Sequence, residues 1–171
     1  MTGPAEPVGG TGPAAEEPSA MVLTEPEREL VAQEARQFAS RLDEGPARET
    51  YRRLEQAAAQ TGQVDGDLVQ ALEGLLGLGL STGRIRALYG AHAEMAAAAA
   101  FRRTPAGRRL QQGCDEANRG LGALAGRVLY GLSVQARGPG IYLVSVEVAG
   151  ARAVLQLDRD GVQLRSVEFG L

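Results

Sequence analysis

Apolar positions along the chain follow two rhythms. Up to about residue 126 they recur every three or four residues, the spacing of one helix face; beyond it they alternate, the spacing of one strand face. The first helix opens at Thr24-Glu25-Pro26-Glu27, where Glu27 can reach back to the backbone at Thr24 as in a capping box. Val31, Ala35, Phe38 and Leu42 form its stripe, and Gly45-Pro46 ends it and starts a second helix. There Ala47, Tyr51, Leu54 and Ala58 share a face, with Gly62 as the stop. Asp65 is placed to cap a third helix with Leu68, Leu72, Leu75 and Leu76 inward, and the glycines at 77 and 79 interrupt the pattern.

A fourth helix is expected over 82–103, with Ile85, Leu88, Tyr89, His92, Met95, Ala96 and Ala99 as its stripe. Thr104-Pro105 restarts a fifth, striped by Leu110, Cys114, Ala117, Leu121 and Leu124. Gly113 and Gly120 sit one heptad apart on one side of it. Each costs about 1 kcal/mol of helix propensity relative to Ala, so they predict close approach of another backbone.

After Gly126 come four strands. Val128, Tyr130, Leu132 and Val134 share one phase, and Gly138-Pro139-Gly140 is a turn. Tyr142, Val144, Val146 and Val148 line one face of the next strand, and Gly150 turns the chain back. Asp158-Arg159-Asp160-Gly161 is a hairpin turn, and the phase change between Leu164 and Val167 predicts a bulge. The expected fold is therefore α+β: about five helices, then a four-stranded antiparallel meander, in one domain over 21–171 (helical over 21–126, sheet over 127–171). Residues 1–20 are Pro-, Gly-, Ala- and Glu-rich, offer little to bury and are expected to be a disordered tail; Met21 is a second candidate start.

Composition narrows the chemistry. Trp is absent, so Leu, Val and Ala must build the core. All 18 basic residues are Arg, a bias that reads first as GC-rich, bacterial-type coding. One Cys excludes an intrachain disulfide. No apolar run reaches the length of a membrane span, and no basic-then-apolar leader opens the chain, so a cytoplasmic location without membrane contact is expected.

Catalytic patterns are missing. There is no P-loop, no nucleophile elbow and no dinucleotide fingerprint, and Asp158 with Asp160 forms too short a loop for calcium. His92 and Cys114 both lie on helix stripes and read as packing residues. The expectation is a non-enzymatic protein with no cofactor and no metal.

Charge is unevenly spread. Residues 1–73 carry 14 acidic and 6 basic side chains, whereas 74–113 carry six Arg and only Glu94. Arg84, Arg86, Arg102, Arg103, Arg108 and Arg109 thus form a basic island. It is either an anion site, with nucleic acid as the obvious ligand, or a set of partners for the acidic early helices. The segment 75–86, Leu-Leu-Gly-Leu-Gly-Leu-Ser-Thr-Gly-Arg-Ile-Arg, resembles the turn and second helix of a helix-turn-helix, the wider unit spanning 68–90. The segment 103–110 is similar to the stretch leaving the wing in MarR- or PadR-type winged-helix regulators. That resemblance implies DNA as a partner, with Thr82, Arg84 and Arg86 facing the major groove. The chain departs from the family in the Ala-rich 96–100, which reads as helix rather than wing, and in its C-terminal meander.

The leading expectation is an interaction, assembly or regulatory module. It binds a protein partner, or itself as a homo-oligomer, through the sheet, with Tyr142, Val144, Val146 and Val148 as interface residues. A DNA-binding regulator using the basic island is the alternative, and a small-ligand binder with a pocket between helices and sheet is the third. Ile141 and Leu143 oppose Tyr142 and Val144, so the sheet is expected to be apolar on both faces, with one left for a second layer.

Overall fold

In the computed structural model, which describes residues 20–170, the α+β order read from the sequence is present: five helices precede a four-stranded antiparallel sheet. Apart from Ala20, the tail expected over 1–20 lies outside the described residues. The helices are α1 (Glu25–Ala39), α2 (Pro46–Gln60), α3 (Gly66–Ser81), α4 (Arg84–Arg103) and α5 (Pro105–Gly122). A two-stranded pairing that the alternation did not reveal joins β1 (Met21–Val22) to β2 (Gln63–Val64), tying the start of α1 to the α2–α3 connection. Two-residue strands carry too little pattern to be read from sequence.

Helix α1 begins as its capping residues dictate: the Glu27 carboxylate accepts the Thr24 N–H at 2.7 Å. Arg28 reaches from α1 to the end of α2 and donates to the carbonyls of Ala58 and Ala59, at 3.1 and 2.9 Å, which would otherwise be unsatisfied there. Leu30, Val31, Ala35, Leu54, Ala58, Leu68, Leu72, Leu75, Leu76, Ile85, Ala97 and Ala100 close into one core between α1 and α4. Asp65 precedes α3 in extended conformation but makes no side-chain cap.

Two helical expectations change. Helix α3 runs through Gly77 and Gly79 to Ser81, because Leu72, Leu75 and Leu76 anchor it and Gly79 leaves room for the Ile85 side chain. Helix α4 is broken at Gly90, whose φ of 82° and ψ of 179° lie outside helical space. The break re-phases the helix. Beyond it Ala97 and Ala100 turn inward, while His92 and Met95, expected on the buried stripe, face solvent; Leu88, expected there too, is exposed ahead of the break. A Cβ at Gly90 meets nothing within 4 Å, so any penalty for adding one is backbone strain alone. Gly90→Ala is expected to cost about 1–3 kcal/mol in urea melts. A gain of about 1 kcal/mol, as helix propensity alone would give, would show that α4 is continuous in solution.

The sheet runs in sequence order: β3 (Leu129–Gly138), β4 (Ile141–Val148), β5 (Ala151–Asp158) and β6 (Gly161–Phe169), all antiparallel. Its bulge lies where the phase change places it, with Val154 opposite Ser166 and Leu155 opposite Leu164. Helix α5 starts on Thr104, whose hydroxyl accepts the Gly107 N–H at 3.2 Å, and lies along β6, touching β5. Gly113 rides over the Val162 carbonyl, the close backbone approach expected, whereas Gly120 lies against side chains, the Leu164 methyls and Val167, rather than against backbone.

Candidate interaction surface

The register separates the two sheet faces. Leu132, Val146, Ala153 and Val167 lie across one face, and so do Val134, Val144, Leu155 and Leu164. Ala136, Tyr142, Leu157 and Val162 extend it, and Leu129, Val148, Ala151 and Phe169 close its other end. No charged side chain interrupts it. The opposite face carries Ser133, Ser145 and Ser166, with Gln135, Gln156 and Gln163, and its apolar residues are Ile141, Leu143 and Val154. The expectation of two apolar faces is therefore corrected: the sheet is amphipathic, as antiparallel sheets commonly are.

Helix α5 covers only the β5–β6 half of the apolar face. On the other half Leu132 is 65% and Val134 63% exposed, with Leu129 and Tyr142 also open; Leu157, beside Tyr142 near the end of β5, is open as well. Tyr130, the extra residue of a bulge between Leu129 and Gly131, is 74% exposed. β3 is also an edge strand, so the backbone groups on its outer side have no strand partner.

Of the four residues singled out on β4, Tyr142 lies on this open half and Val144 and Val146 are half-buried at its border. Val148 belongs instead to a small core with Leu124, Ala151 and Ala153 beneath the end of α5. Sequence reasoning did not assign Leu129, Leu132, Val134 or Leu157 to a site, although the alternation that places Leu132 and Val134 on one face is visible. Cys114, read as a core residue, is exposed on α5.

The basic island is divided. Arg84, the first residue of α4, makes a two-pronged ion pair with the fully buried Glu34 of α1; one of its two contacts measures 3.2 Å. Arg103 reaches Glu27, also buried, at 2.5 Å, and Arg86 pairs with Glu94 at 3.3 Å on the surface. Arg102, Arg108 and Arg109 are exposed, and among the described residues no carboxylate pairs with them. Arg84 thus points into the protein rather than towards a groove. The 103–110 segment likened to a wing exit is a helix-to-helix junction.

Tyr89 belongs to the Arg84–Glu34 group, and its hydroxyl accepts from the Gln37 amide at 2.9 Å. Burial, and then the neighbouring Glu34 carboxylate, push its pKa up to about 12, against the weaker pull of Arg84 and Gln37. The folded pKa exceeds the ordinary value near 10. This group's share of stability is therefore complete below pH ~10 and is lost as pH rises through about 12. In an alkaline titration followed by phenolate absorbance, Tyr89→Phe is expected to remove a component near pH 12; loss of a component near pH ~10 instead would place Tyr89 in open solvent.

A cleft of about 680 Å³ lies between the helical body and the β5–β6 turn, lined in part by Glu73, Phe101, Arg109, Arg159 and Asp160. One Glu73 oxygen is already taken by the Ala106 N–H at 2.7 Å. Among the described residues no group of three or more His, Cys, Asp or Glu could hold a metal ion, and no helix is long and apolar enough to cross a membrane. No protein-family model, curated protein or solved structure matches the chain.

Proposed function

We propose that this protein is a non-enzymatic interaction or assembly module that binds protein through the open half of its sheet. The observation that carries the reading is the uncharged β3–β4 surface beside α5, contiguous, apolar and ending at an unpaired strand. Open apolar patches of more than a few hundred Å² are uncommon on proteins that work alone. Their cost in solubility is offset when a partner covers them. A cytoplasmic location is part of the proposal, since a reducing compartment keeps the exposed Cys114 as a free thiol.

The DNA-binding alternative draws on the exposed Arg102, Arg108 and Arg109. Three of the six island residues are already neutralised by Glu34, Glu94 and Glu27, which favours the protein-binding reading. A photo-crosslinking side chain introduced at Leu132 tests the preferred reading in cells. Adducts to protein are expected there and not from the same group at Gln156 on the polar face. Absence of adducts at both positions would remove the reading. Steeply salt-dependent binding of random duplex DNA, lost on Arg108→Ala with Arg109→Ala, would replace it.

A further inference from the structure

We infer that the occupant of the open sheet face is a second copy of this chain, seated face to face in a two-fold dimer with each α5 flanking the partner's β3 edge. The inference rests on the interaction reading above and names its partner.

The shape of the surface is a step. The sheet is four strands wide, and α5 lies along β6 and touches β5, leaving β3 and all but the Val146–Val148 end of β4 uncovered. A helix is about 10 Å thick, and stacked sheets also pack about 10 Å apart. A second sheet laid on the bare half therefore occupies the same layer as α5. With strands ~4.8 Å apart, the bare half is roughly 10 Å wide, enough for two strands of a partner. A two-fold axis between the layers and along the strands places β3 and β4 of each copy over those of the other. It carries each sheet's remaining half away from the other's α5, whereas an in-plane axis across the strands drives the two α5 helices together. In the permitted arrangement each α5 lies beside the partner's β3, so one contact covers both the apolar face and the otherwise open edge.

Charge and area agree with a self-contact. In a two-fold interface the same patch meets itself, so a patch with net charge repels its copy. This one consists of Leu129, Leu132, Val134, Tyr142, Val144 and Leu157, with Tyr130 at the bulge, and carries no charge. Together these residues leave on the order of 600–800 Å² open, close to the roughly 800 Å² per partner of a standard stable interface. A docked single helix would leave the β3 edge bare.

The full chain, examined by sedimentation equilibrium at tens of micromolar, is expected to show twice the 17.9 kDa chain mass. Tyr142→Asp is expected to weaken association at least a hundredfold while the helical circular dichroism is retained, because Tyr142 is 46% exposed and its strand is interior to the sheet. Leu132→Asp and Leu157→Asp are expected to do the same, and Leu88→Asp, at an exposed position of α4 outside the patch, to do nothing. A wild-type chain of single mass overturns the inference. So does a dimer that survives Tyr142→Asp, since edge-to-edge pairing of β3 does not need that side chain. A single-mass chain whose Leu132 crosslinker still captures a different protein refutes the second copy and leaves the interaction reading standing. Single mass with no adduct removes both.

Discussion

Replacing Arg84 with Met is expected to lower the unfolding free energy by about 3–5 kcal/mol, the range for removing one partner of a buried ion pair. Glu34 is fully buried on α1, and the Arg84 guanidinium is its counter-charge at the start of α4. Taking that charge away leaves a carboxylate in an Ala- and Leu-lined interior, with the amide of Gln37 and the hydroxyl of Tyr89 as its nearby polar company. Arg86→Ala, two residues along, removes a pair in which Arg86 is 68% exposed and is expected to change stability by no more than about 0.5 kcal/mol. The double variant Arg84→Met with Glu34→Leu is expected to recover most of the loss, since apolar residues of similar volume fill such sites about as well as the ions did. Urea melts of the four proteins decide the matter. An Arg84→Met cost no larger than that of Arg86→Ala would mean that water reaches Glu34, and Arg84 would then be free to meet a phosphate. The same contrast governs any test of nucleic-acid binding. A loss of binding in Arg84→Ala would report damage to the fold, whereas Arg102, Arg108 and Arg109 change charge without touching the core.

The helices and strands were legible because most of them combine an apolar rhythm with a terminal signal. Thr24, Pro46 and Thr104 start helices where expected, and the change of period after Gly126 marks where strands replace helices. What the rhythm could not supply was phase beyond a backbone break. A glycine inside an apolar pattern reads as a tolerated weak point, yet Gly90 adopts a conformation that only glycine takes readily and rotates the rest of α4. His92 and Met95 left the core for that reason. The bulge at Tyr130 acts similarly on β3, setting Leu129 rather than Val128 on the face of Leu132. The site was half legible. Tyr142 and its β4 neighbours followed from alternation alone. Which half of the face stays open depends on where α5 lies, and that is a matter of helix–sheet contact rather than of any one segment. The basic island shows the same limit: the charge imbalance was plain, but its pairing with Glu34 and Glu27 joins residues 50 and 76 positions apart.

The seat of α5 on β6 fixes the step on which the proposed interface depends, and its glycines give the other large effect. By helix propensity alone, Gly→Ala within α5 should stabilise by about 1 kcal/mol at each position. The contacts predict a graded outcome instead. At Gly107 a Cβ would run into the Phe101 carbonyl and the Arg102 Cα, both backbone atoms at the tight α4–α5 junction. Gly107→Ala is therefore expected at or above the top of the ~1–3 kcal/mol range for overpacking. Gly113→Ala presses on the Val162 carbonyl, which cannot rotate away, and belongs within that range. Gly120→Ala meets the ends of Leu164 and Val167, side chains that can yield, so its propensity gain and its clash should nearly cancel. Gly122→Ala meets nothing within 4 Å and is expected to stabilise by a few tenths of a kcal/mol, up to about 1. The rank of the four unfolding midpoints is the test. If Gly113→Ala were as stabilising as Gly122→Ala, α5 would not be pressed onto β6. The glycines would then reflect coding bias, and the step that admits a second sheet would have no fixed height. If the order holds, Gly113→Ala is expected to disturb association as well as stability, because lifting the helix off β6 opens a gap at the border where the partner's β3 has to fit.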